Sequence, residues 1–302
     1  MILNSAMNQK QLEVRSAVLG GEVARFLATG EADPLGGVFP GSDTLERITG
    51  YERRLREALI SEVGRRERGR RQGQVPAAFH SVGWIRRKVE PMITGLFPTT
   101  ERQVVFRVAE RSIVFLTREA AHRTIRETAF LGSAWTIANL YLNSLGAPLL
   151  GDGASPIVGL NQETKCYISL EYFADKDPFA DYVTHEVAHI FPNCKRETIG
   201  LPHSRSKEWL LDLAYAKRET FAYACEAYGR ILEQAEGKAD RRSLLRQYAR
   251  SSKLSDNRVD QTELFDILAE AVEASNGWKR ILSRCSTPKQ TAPRPALTYV
   301  AE

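Results

Sequence analysis

The run DYVTHEVAHIF, residues 181–191, holds two histidines four positions apart with a glutamate directly after the first. On a helix, positions i and i+4 lie one above the other on one face, so His185 and His189 can turn their rings to one point. Two imidazole nitrogens at that spacing can bind one tetrahedral Zn²⁺ at ~2.0–2.1 Å. Glu186 would then stand beside the metal without ligating it, placed to take a proton from a water that the metal polarises. The flanking residues Val183, Thr184, Val187, Ala188, Ile190 and Phe191 are all uncharged. A solvated helix face would carry Lys, Arg or Glu there, so the pattern predicts a helix buried beneath a cleft. Asp177-Pro178 offers a cap acceptor and a first-turn proline, and Pro192 a stop, which predicts a helix over 178–190.

This stretch resembles the extended signature of the zincin superfamily of zinc metallopeptidases. It shares a β-branched residue two before the first histidine, uncharged residues between the glutamate and the second histidine, and an apolar residue two past the second. A catalytic zinc takes three protein ligands and keeps one position open. The segment KRETFAYACEAYGR, in a helix expected over 207–234, carries Glu219 and Glu226 seven apart and so on nearly one face. Leu210, Leu213, Phe221, Ala224 and Ile231 form the opposite, core-facing stripe. The gluzincin branch of the superfamily places its third ligand on such a downstream helix, and Glu219 looks similar to that glutamate. The branch often has a carboxylate four residues later to orient a histidine; here that residue is Tyr223. Glu226 is therefore open as the orienting group or as the ligand itself, and His203 and Asp212 are further alternatives. The metzincin branch, with a histidine six past the second, is disfavoured because that position is Lys195. Tyr223 and His203 are candidate oxyanion donors, as are Tyr215 and Tyr228.

The elements that must position these groups follow from periodicity. Residues 165–173 alternate apolar and polar and predict a strand. By resemblance to zincins, it lies at the sheet edge and lines the cleft. Residues 103–108 and 112–117 predict two further short strands. Helices are expected at 8–29, 44–68 (with Asp43 and Glu46 as a capping pair), 118–145, 240–252 and 261–276. The uncharged stretch 129–151 has Ser133, Thr136, Asn139 and Asn143 at helical spacing, which suits a packed helix rather than a bilayer span. The expected organisation is an N-terminal helical region and linker (1–78), a catalytic domain (79–285) and a disordered tail (286–302). The fold class is α+β and helix-rich, with a small sheet and a zincin-like core.

Composition sets the class. With 43% apolar and 26% charged residues over 302 positions, the chain can bury a sizeable core and is neither disordered nor membrane-like. The first 130 residues hold 21 Lys and Arg against 15 Asp and Glu, and the excess concentrates in Gly64–Arg71. Such a run either holds a nucleic-acid backbone or is a solvated helix end, and no nucleic-acid motif accompanies it. The four cysteines form no CxxC pair, and the N-terminus shows no secretory signal, so reduced thiols in the cytoplasm are expected. The expected activity is zinc-dependent hydrolysis of a peptide or protein substrate. The alternative is a zinc-stabilised binding or regulatory protein, associated with nucleic acid through the basic run. A helical protein without metal remains only if the histidines are solvated.

Overall fold

A four-residue strand divides the molecule. The computed structural model describes residues 17–33, 43–76, 82–151, 154, 159–162, 164–204, 207–252 and 256–287. In chain order these form α1 (17–29), α2 (Thr44–Arg66), α3 (Val82–Leu96), α4 (Thr99–Ser112), β1 (Ile113–Phe115), α5 (Arg118–Glu127) and α6 (Leu131–Ser144). There follow β2 (Gly159–Gln162), β3 (Lys165–Ile168), α7 (Tyr182–Asn193), α8 (Arg218–Gln234), α9 (Lys238–Ser251), α10 (Gln261–Glu273) and α11 (Gly277–Cys285). The chain is thus helix-rich α+β with one three-stranded mixed sheet of order β1-β3-β2. β1 runs parallel to β3 and β2 antiparallel to it.

Side chains alternate across a strand, and β3 uses both faces. Cys166 and Ile168 enter a core built from α3, α4, α7, α8, α10 and α11. Tyr167 enters a second core, built from α1, α2, α5 and α6. These cores do not part at residue 78, because α5 and α6 pack with the N-terminal helices. All four cysteines are buried and free. Among the described residues no helix is long and apolar enough to cross a membrane.

Several expected elements are corrected. β3 is shorter than 165–173 and central, so it is not the edge strand; the Ser169 side chain accepts from Glu171 N and turns Leu170–Phe173 into a 3-10 helix. Residues 103–108 lie inside α4, whose buried Val105, Phe106, Ala109 and Ser112 follow a helical stripe that a short window also reads as alternation. Residues 118–145 break into α5 and α6 around Thr128 to Phe130. Residues 207–217 are not regular helix, because their backbone groups bond elsewhere: Leu210 N to Cys194 O, Leu211 N to Phe191 O and Ala214 N to Cys285 O. α11 is an element that periodicity did not single out. It is capped by Asn276 and buries Trp278 against Gly95, where a Cβ would come within 2.2 Å of the indole. The expected helical start at residues 8–16 and the tail from residue 288 lie outside the described residues.

The basic run near residue 64 is partly used internally. Arg65 and Arg66 pair with Glu62, while Arg70 donates to Gly146 O at 2.8 Å.

Candidate metal centre

α7 begins four residues later than the Asp177 cap would set it. Asp177 instead caps a preceding turn by accepting from Phe179 N, and Asp181 is the N-cap of α7, accepting from Thr184 N at 3.2 Å and from the Thr184 hydroxyl at 2.8 Å. Two tertiary contacts favour Asp181. Lys88 of α3 lies 2.9 Å from its carboxylate, and its backbone N–H donates to Glu226 Oε1 of α8 at 2.6 Å. The Asp181 carboxyl is deeply buried, which raises its pKa, and Lys88 works against that rise. The helix runs on to Asn193, with Pro192 in its last turn.

This start sets the rotation of α7 against α8 and brings three donors together. Ligand atoms of His185, His189 and Glu219 all lie within 4.8 Å of one another. His189 Nε2 is 3.2 Å from His185 Nε2 and 3.4 Å from Glu219 Oε2, and His185 Nε2 is 3.9 Å from that oxygen. The three side chains are largely withdrawn from solvent.

Each far side of this cluster is held by another group. Glu226 Oε2 lies 3.0 Å from His185 Nδ1, so the second acidic residue of α8 orients a histidine instead of joining the cluster. That contact directs Nε2, the other ring nitrogen, toward His189 and Glu219. Burial presses the His185 pKa down, but hydrogen bonding and charge from Glu226, with Glu186 and Glu219 adding, lift it to about 9. On Glu219, Oε1 pairs with Arg258 Nη1 at 2.7 Å. Burial raises the Glu219 pKa, yet His189 and Arg258 together leave it below the ordinary value. Tyr223, one turn after Glu219, packs its ring edge-on against His185 with centroids 4.6 Å apart, and burial raises its phenol pKa.

Glu186 reaches toward β2. A Cβ placed on Gly159 would lie 2.2 Å from Glu186 Oε1, so the strand approaches the carboxylate at a distance only glycine permits. Burial raises the Glu186 pKa, and the two histidines oppose the rise. A carboxylate shifted toward neutrality accepts a proton more readily, as a general base requires.

Two imidazoles and one carboxylate, with a histidine oriented from behind, form the donor set of a three-ligand zinc site. The residues present fit such an ion. No family model matches the chain, and no curated protein or solved structure matches it. Function must therefore be argued from side-chain geometry.

Other sequence candidates lie apart from the cluster. His203 is half-exposed beside Glu197, 3.6 Å from its Oε2, and among the described residues no hydrogen bond or ion pair links it to His185 or His189. Tyr215 is 85% exposed and lies under Arg218. Tyr228 packs on Trp278, and Asp212 is exposed. Asp181, Gly159, Asp256 and Arg258 were not foreseen. Two of these had a local signal: Asp181 is a capping residue type, and Gly159 is a glycine near a strand start, which often marks close approach of backbone to another group.

Proposed function

We propose that the chain is a zinc-dependent peptide hydrolase. One observation carries this reading: the two histidines of α7 and Glu219 of α8 converge, while Glu186, next in sequence to His185, is a buried carboxyl with a raised pKa on which both histidines act by charge. His185, His189 and Glu219 would hold Zn²⁺, and Glu226 would keep His185 in the tautomer that presents Nε2. What a bound Zn²⁺ supplies is Lewis acidity, which acidifies water and polarises a carbonyl.

The chain's own groups do the rest. Glu186 takes a proton from the attacking water at its carboxylate, then gives that proton to the leaving amine as the C–N bond breaks, and so returns to its starting state. The Tyr223 hydroxyl is the proposed donor to the oxyanion. The substrate is proposed to lie along β2. This strand borders Glu186 and has no strand on its outer side among the described residues, an edge to which an extended peptide could add. Four buried free thiols favour a reducing, cytoplasmic setting.

The test pairs metal analysis with E186Q. Protein purified without chelator is expected to carry about one zinc per chain, as three-ligand catalytic sites do, and H185A and H189A to lose it. E186Q should keep zinc and fold while peptide hydrolysis falls by ~10²–10⁴. Wild-type protein without metal would refute the zinc centre. E186Q retaining full hydrolysis would refute the role of Glu186, and zinc-loaded wild-type that cleaves no peptide would favour the binding or regulatory alternative.

A further inference from the structure

Arg258 lies in the connection between α9 and α10, 39 residues beyond the glutamate it touches. Its guanidinium is engaged on two sides. Nη1 lies 2.7 Å from Glu219 Oε1. On the other side, Nε is 2.9 Å from Asp256 Oδ1 and Nη2 is 2.6 Å from Asp256 Oδ2, while Arg258 N also donates to Oδ1 at 2.9 Å. The fork is thus clamped by Asp256, whose side chain is 12% exposed although that of Arg258 is 63% exposed. Glu219 is left with one oxygen on Arg258 and the other, Oε2, facing both histidines.

We infer that Arg258, fixed by Asp256, is a positioning residue for the metal ligand Glu219: it occupies Oε1 so that Oε2 alone is presented to the ion. The inference rests on the zinc reading above and extends it to a part of the chain that the histidine motif does not indicate. Planar, forked geometry matters here, because a guanidinium can grip Asp256 through two nitrogens and still offer a third to Glu219 in a fixed direction, whereas an ammonium is a single point charge on a flexible stem and fixes neither carboxylate's orientation. A lone cation this close to a divalent ion would weaken binding by repulsion. Asp256 offsets that charge, so the pair presents little net charge to the site and acts mainly through orientation. It complements Glu226, which does for His185 what Arg258 does for Glu219.

Charge and orientation make opposite forecasts for the two partners. By charge alone, R258Q removes a cation and should tighten zinc, whereas D256N removes an anion and should loosen it. By orientation, both variants should loosen it, since each breaks the same clamp. The experiment is zinc titration of the full-length, metal-stripped protein against a chromophoric chelator, for wild type, R258Q, R258K, D256N and the double variant D256N/R258Q. The expected result is a loss of about 10–100-fold in affinity for R258Q and for D256N, the usual effect of removing a group that orients a ligand. The double variant should lose little more than the worse single one, and R258K should resemble R258Q. Melting of zinc-free R258Q and R258K should match wild type, since Arg258 is mostly exposed.

Affinity changes of opposite sign in R258Q and D256N, unchanged affinity in both, or full recovery in R258K would overturn the inference while wild-type zinc binding still stands. A wild-type chain that takes up no zinc overturns the metal reading itself, a result distinguishable from the others at the first titration.

Discussion

Replacing Glu226 by glutamine keeps the shape of the side chain while removing its charge and changing what its two ends can accept. In the wild type both oxygens are acceptors: Oε1 takes the Asp181 backbone N–H at 2.6 Å, and Oε2 faces His185 Nδ1 at 3.0 Å. A glutamine must assign its carbonyl to one of these and its amide NH₂ to the other. With the carbonyl on Asp181 N, the amide faces Nδ1, which must then accept, and the ring proton moves to Nε2. That is the nitrogen directed at His189 and Glu219, and protonated it cannot ligate a metal. With the amide turned the other way, the buried Asp181 N–H loses its acceptor, which costs ~1–3 kcal/mol. Either arrangement weakens the site, so E226Q is expected to lose about 10–100-fold in zinc affinity, roughly 1.4–2.7 kcal/mol. Chelator competition at fixed pH measures the affinity, and nitrogen NMR of the imidazoles reads the tautomer. A folded E226Q that binds zinc as tightly as wild type, with the proton still on Nδ1, refutes the assignment of Glu226.

Three other outcomes follow from the geometry. G159A places a Cβ 2.2 Å from Glu186 Oε1, so strand or carboxylate must shift; kcat should fall with zinc retained, and stability should drop by ~1–3 kcal/mol in urea unfolding. Y223F removes the proposed oxyanion donor and should cost ~10²–10³ in kcat with KM little changed, as steady-state peptide cleavage would report. Arg196 is almost fully buried on Glu101, whose pKa is held below 4.5 by the Arg196 hydrogen bonds, with Lys207 assisting. Because the folded pKa is the lower one, this stabilisation is complete above 4.5 and is lost as pH falls through the folded value. E101Q should destabilise by ~3–5 kcal/mol at neutral pH, and its urea midpoint should fall less with acid than that of wild type.

What sequence could reveal followed from the range of each signal. His185, Glu186 and His189 share one turn of helix, so their relation is local and visible in spacing. Glu219 and Glu226 were visible as a face, but their division of labour depends on how α8 packs against α7, which spacing alone does not determine. Asp177 and Asp181 are both competent caps; Lys88 and the Glu226 carboxylate, distant in sequence, decide between them. β1 has three residues and β3 four, too few for alternation to be told from a helical stripe, hence the misreading of residues 103–108. Arg258 and Asp256 sit in an unremarkable connection, and only tertiary folding brings them to Glu219.

The late position of α11 bears on how the molecule is made. This last described helix packs against α8: Trp278 meets Tyr228 edge-on and seats against Gly95, and Asn276 donates to Gly95 O at 2.9 Å. At about 5–20 residues per second, a ribosome needs several seconds to pass from Glu219 to Cys285. During that interval the nascent chain already contains both histidines and both glutamates, yet it lacks the apolar surface that α11 packs against α8. The bond from residue 276 back to residue 95 also closes a very long loop, a step that slows folding and cannot occur before residue 276 has been made. A fragment released before α11 is made would carry the full histidine motif without the helix that packs against α8.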